Sequence, residues 1–172
     1  WRDRTHPGRS WYLHQLRTLV ELLTTAIHGE LGMQTVAAYS GNKGAHVYGF
    51  FPEPVEAIEA RAAALIALEV AGGYLSADGT HKFDHSKGAN FFQYTDPSPV
   101  HGFENLSIEL FPKQASMEDK DLGNLVRLPL GKNMKNPNDT TFIIDQRAPY
   151  NQLVAHPDPV AALNAPEPWL HS

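Results

Sequence analysis

Cysteine is absent, and with it go disulfides, thiolate zinc sites, iron–sulfur clusters and cysteine nucleophiles. That absence is compatible with a reducing cytoplasm, the compartment we expect. Long apolar runs are missing too. No stretch approaches the roughly 20 residues of a membrane-spanning helix, and the opening WRDRTHPGRS lacks the apolar core and small-residue cleavage site of a secretory signal. Export and membrane insertion are not expected. Neither a G-x-S-x-G elbow nor a dinucleotide fingerprint is present. Excess positive charge is lacking as well: 14 Lys and Arg against 19 Asp and Glu leave a net charge of −5. This argues against a protein that coats nucleic acid through a broad basic surface, because phosphate neutralisation scales with basic residues. A local channel stays open. Arg2, Arg4, Arg9 and Arg17, and later Arg127, Lys132 and Lys135, form locally basic stretches that read alone as solvated surface. The sequence starts at Trp1 without an initiator Met, so a fragment or processed product is expected, with part of its chemistry upstream.

What is present is enough for one ordinary domain or two small lobes: 172 residues, 42% hydrophobic. From Trp11 to His28, Leu13, Leu16, Leu19, Val20, Leu23 and Ile27 recur at helical spacing, with Ser10 as the cap and Gly29 or Gly32 as the stop. Thr35–Tyr39 and His46–Phe51 are β-rich runs flanking a Gly-bearing connection, which predicts a hairpin. Pro52 and Pro54 open an Ala-rich second helix, Val55–Ala71, ended by Gly72-Gly73. Residues 76–101 read as loops around one short strand, Asn90–Tyr94. Three more β-like runs follow, Leu106–Phe111, Leu125–Leu130 and Thr140–Asp145, the last two separated by the turn-rich GKNMKNPND. From Ala148 a Pro-rich tail with a helical stretch at Pro159–Asn164 reads as a linker or strap. The sum is an α+β domain around a mainly antiparallel sheet.

The segment Ser40-Gly41-Asn42-Lys43-Gly44-Ala45-His46 carries the chemistry. Its glycines let backbone N–H groups approach phosphate oxygens, Lys43 supplies a point charge, and Ser40 and His46 can donate hydrogen bonds. It is not a P-loop, because Lys43 precedes Gly44 and a strand follows. A tight turn that merely needs glycine is the other explanation, and the residues alone leave both open.

Read as S-G-x-K-G-x-H-V-Y, residues 40–48 resemble the second signature of the archaeo-eukaryotic primase superfamily, in a form close to the polymerase domain of bacterial end-joining ligases. Leu106-Ser107-Ile108-Glu109-Leu110-Phe111-Pro112-Lys113-Gln114 and Gly123-Asn124-Leu125-Val126-Arg127-Leu128-Pro129-Leu130-Gly131 are similar to a motif pair of primase-polymerases from mobile elements and conflict systems. The resemblance implies a two-lobed core with an RRM-like, mainly antiparallel sheet flanked by helices, over residues 1–147, with 148–172 as the strap. It implies that Ser40, Gly41, Lys43, Gly44 and His46 contact a nucleoside triphosphate, with His46 also counted as catalytic. Arg127 would be a second cation on the triphosphate or template. Glu109 would be the third-motif carboxylate, a ligand of Mg2+ or Mn2+, since two-metal nucleotidyl transfer needs clustered carboxylates.

The family's first motif, apolar-Asp-x-Asp, does not precede Trp11, and Asp3 stands alone among arginines. The remaining metal carboxylates are therefore expected upstream of Trp1, and the isolated chain is expected to be inactive in primer extension. The implied function is template-directed nucleotidyl transfer, a DNA primase-polymerase working on single-stranded or primed DNA, with a helicase or nuclease as accompanying domain or partner. Alternatives are an end-joining repair polymerase and a non-catalytic nucleotide or nucleic-acid binding module of the same fold. Of weaker signals, His81, Asp84, His85 and His101 read as loop residues rather than a zinc site. Phe91, Phe92 and Tyr94 read as core on one face, with base stacking as the other option.

Overall fold

The computed structural model describes residues 7–75, 83–85, 88–94, 107–114, 126, 129–131, 141–149 and 152–164. In chain order its elements are α1 (Arg9–Leu31), β1 (Gln34–Tyr39), β2 (Ala45–Phe50), α2 (Ala57–Leu75), β3 (Phe83–His85), β4 (Phe91–Tyr94), β5 (Ser107–Glu109), β6 (Phe142–Ile143) and α3 (Pro159–Asn164). The α+β class is as expected. The strands form two antiparallel three-stranded sheets, ordered β2-β1-β6 and β3-β4-β5.

Helix α1 serves both sheets. Leu19 and Ala26 pack with Ala67, Leu68 and Ala71 of α2 and with Phe83, Phe92 and Leu110 on the inner side of the second sheet. Val20, one position on from Leu19, packs instead with Ala37, Tyr39 and Ile144 of the first sheet. Successive helical residues point about 100° apart, so neighbours in sequence reach different cores.

Several boundaries differ from the sequence expectation. The N-cap of α1 is Gly8 rather than Ser10, because the Tyr12 N–H already donates to the Gly8 carbonyl at 3.0 Å. Of the two offered stops, Gly32 is used: its φ of 62° is left-handed, a conformation glycine adopts without a Cβ penalty. Gly29 stays inside the helix. Helix α2 continues through Gly72-Gly73 to Leu75, because Ala71 (0% exposed) and buried Gly72 sit in the packed interior, and packing overrides the ~1 kcal/mol propensity cost of glycine. Strand β3, expected as loop, exists because its backbone pairs with β4, Asp84 opposite Gln93 and His85 opposite Phe92. The β-like run 106–111 is strand only over Ser107–Glu109. In the run 125–130, the described Pro129 and Leu130 form a turn, with Leu130 at φ 66°.

Arg17 is the largest departure. Expected on solvated surface, it is 1% exposed, and its Nη2 donates to the carbonyls of Gln146 (2.6 Å) and Ala148 (3.2 Å). A buried guanidinium is tolerated only with such acceptors, and here it pins α1 to the segment after β6. That segment runs on into the strap: Asp145 N–H donates to the Val154 carbonyl and His156 N–H to that of Ile143, both at 2.8 Å, while Ile144 bridges Ala155. Asp158 Oδ1 then caps α3 by accepting the Ala161 N–H at 3.0 Å.

Candidate nucleotide-binding hairpin

The β1–β2 register, from Gln34 opposite Phe50 to Tyr39 opposite Ala45, leaves residues 40–44 as the connection. Ser40 and Gly44 close it. The Ser40 N–H donates to the Gly44 carbonyl at 2.9 Å, and the Gly44 N–H donates back to Ser40 Oγ at 3.1 Å. Gly41 turns the chain at φ 72°, a value that needs glycine. Tyr39 fastens the base by donating its hydroxyl to the Asn42 carbonyl at 2.7 Å. The small closed loop presents Lys43 at its tip, exposed and without an ion pair to any described residue. Ser40 is thus a brace of the turn, so the glycine-turn explanation is satisfied. The unspent charge of Lys43 is what that explanation leaves over.

Alternation sorts the first sheet into two faces. Ala37, Tyr39, Ala45, Val47, Phe142 and Ile144 face α1. Val36, Ala38, Ile143 and Tyr48 lie on the other, against Ala162 and Leu163 of α3. His46, paired with Ala38, belongs to this second face and is half-buried. Asp145 follows β6, two positions beyond Ile143. Burial pushes the Asp145 carboxyl up, but hydrogen bonds from the Arg147 side chain and backbone, then the charges of Arg147 and His156, bring it below its ordinary value. The bonds are 3.0 Å to Arg147 Nε and 3.1 Å to its N–H.

Glu109 lies on the other sheet, opposite Phe91, and the structure does not bring it onto the sheet of the hairpin. It is exposed and paired with Lys113, whose ammonium also sits 5.5 Å and 5.0 Å from the ring centres of Phe91 and Phe111. Phe92 is buried in the inner core, while Phe91 stands on the outer face with Glu109. Arg61 of α2 anchors this corner. Its guanidinium donates to Asn90 Oδ1 (2.6 Å), the Ala89 carbonyl (2.7 Å) and the Pro112 carbonyl (3.0 Å).

Among the described residues no group of three His, Asp or Glu side chains comes together to hold a metal ion. With Glu109 already paired to Lys113 and Asp145 to Arg147, the described carboxylates do not fit a two-metal centre. Arg127, His81 and His101 lie outside the described residues, and so do Arg2, Arg4, Lys132 and Lys135. Among the described residues no helix is long and apolar enough to cross a membrane.

Residues 100–165 match the family model of the archaeo-eukaryotic primase domain of the TOTE conflict system. The matched segment contains Glu109, Arg127, β6 and Asp145, and it runs through α3; the hairpin lies before it. No curated protein and no solved structure gave a significant match.

Proposed function

From the archaeo-eukaryotic primase superfamily membership that this match supports, we propose that the chain binds a nucleoside triphosphate at residues 40–46 and serves template-directed nucleotidyl transfer on single-stranded or primed DNA in a primase-polymerase. The observation that carries the reading is the exposed Lys43, without an ion pair to any described residue, at the tip of a closed glycine turn on the strand pair that bears His46. An ammonium held out by a braced loop is a point charge ready for phosphate. His46 adds a ring N–H, and the Gly41 conformation lets main-chain amides approach phosphate oxygens. Arg127 keeps its proposed place as a second cation, on sequence grounds. The superfamily resemblance implies magnesium or manganese as cofactor, and the cysteine-free sequence is compatible with a cytoplasmic setting.

The direct test is titration of a labelled nucleoside triphosphate against folded variants. Lys43→Ala and His46→Ala are each expected to weaken binding by about 1–3 kcal/mol, the range for a lost charge-assisted or buried hydrogen bond. Unchanged affinity in both removes the assignment.

Glu109 keeps its proposed place as the carboxylate that the resemblance requires, on sequence grounds, with further ligands outside the described residues. Glu109→Gln in the complete protein is expected to abolish primer extension with the melting temperature little changed. Wild-type extension by the folded variant would remove Glu109 from the site.

A further inference from the structure

The Tyr39 hydroxyl donates to the Asn42 carbonyl at 2.7 Å, and the peptide unit it grips is the one that joins Asn42 to Lys43. In a planar trans peptide the C=O and the N–H point in opposite directions, so drawing the Asn42 oxygen toward the phenol turns the Lys43 N–H away from it. That N–H makes no hydrogen bond to any described residue. Lys43 therefore offers two donors, its ammonium and its own main-chain amide. The ammonium moves on a flexible stem, whereas the amide is aimed by the backbone, and N–H groups presented by a turn make sites for anions. The aim is only as firm as Tyr39. That residue is 8% exposed and packs with Val20, Ala37 and Ile144, and its ring centre lies 5.1 Å from that of Phe142, its partner on β6. With the ring so seated, the hydroxyl is a fixed point for the turn.

We propose that Tyr39 is a positioning residue of the hairpin: its hydroxyl holds the 42–43 peptide so that the Lys43 N–H, beside the Lys43 ammonium, is presented as a main-chain donor to a phosphate oxygen. This rests on the reading of residues 40–46 as a triphosphate site. Tyr39 acts through the peptide and not on the ligand. It also joins the turn to the segment that matches the primase family model, since Phe142 of that segment backs the tyrosine ring.

The test uses Tyr39→Phe, which keeps the ring and its packing and deletes only the hydroxyl. In proton–nitrogen spectra of the full chain, the wild-type Lys43 N–H is expected to move downfield on saturation with ATP. In Tyr39→Phe it is expected to be displaced before ATP is added and to move less afterwards. Titration with fluorescently labelled ATP is expected to give a Kd roughly three- to tenfold higher for Tyr39→Phe, as for loss of one hydrogen bond. Lys43→Ala removes the ammonium but keeps the N–H, so adding Tyr39→Phe to it is expected to weaken binding by a further factor of similar size. A wild-type Lys43 N–H in Tyr39→Phe, both free and with ATP, overturns the proposal. A double variant no weaker than Lys43→Ala also overturns it, because Tyr39 would then act through the ammonium. Unchanged affinity in Tyr39→Phe beside weakened affinity in Lys43→Ala overturns the proposal and leaves the triphosphate reading standing. Unchanged affinity in both removes the triphosphate from residues 40–46, and the proposal with it.

Discussion

Lys43 and Lys113 carry the same charge and are used in opposite ways. Lys113 is neutralised by Glu109 and laid over two phenyl rings, whereas Lys43 is held away from every described carboxylate. The physical difference is local: Lys113 follows Glu109 by four residues, and the turn carrying Lys43 contains no acid. Tyr12 shows what burial does to a neutral group. Its phenol is pushed up to about 12, first by burial and then by the neighbouring Tyr39, against the opposing pull of Arg9. The folded value is raised, so the stability tied to it is fully present below the unfolded value near pH 10 and is lost as pH rises through about 12. Between those limits the unfolded chain releases a proton that the folded chain retains. Tyr12→Phe is therefore expected to flatten the fall of stability above pH 10 by up to about 1.4 kcal/mol per pH unit, read from urea midpoints at pH 9, 10 and 11. Parallel pH curves for variant and wild type would show that the Tyr12 phenol does not titrate with folding.

At the scale of elements, the hairpin and α1 could be read from the sequence because their information is local. Glycines sit where a turn needs them, and Leu16, Leu19, Val20 and Leu23 recur at helical spacing. Strand β3 could not, since three residues in a His-, Gly- and Ser-rich stretch carry no periodicity and owe their form to β4. The site was half legible: the Lys43 turn stands out, while the face that His46 and Tyr48 share with Ile143 depends on β6 pairing with β1 across a hundred residues. Arg61 is a similar long-range join. Its three acceptors belong to the turn before β4 and to Pro112 after β5, so one guanidinium holds α2 against both. Arg61→Ala is expected to cost about 1–3 kcal/mol, through lost bonds and unsatisfied acceptors. Arg61→Lys should recover only part, because an ammonium cannot reproduce a planar fork. Denaturation midpoints of the three proteins check this, and full recovery by Lys would reduce Arg61 to a simple charge.

For the whole molecule, the role of α1 in two cores makes the sheets one cooperative unit. Leu19→Ala strikes the core of the second sheet and Val20→Ala that of the first, at roughly 2–4 kcal/mol and about 2 kcal/mol respectively, by loss of buried methyl groups and cavity formation. Each is expected to lower hydrogen-exchange protection in β1 and β4 alike. Protection lost only in the sheet next to the altered residue would mean two units that open separately. The Arg17 contact, finally, sets an order of events during synthesis. Helix α1 and the hairpin leave the ribosome before the carbonyls that receive Arg17, which come 129 and 131 positions later, after the described strands of the second sheet and together with β6 of the first. Until then a cation destined for the interior must stay in water and β1 keeps one edge bare, so the growing chain holds α1 and the hairpin open, for chaperones to tend, until the segment after β6 locks them.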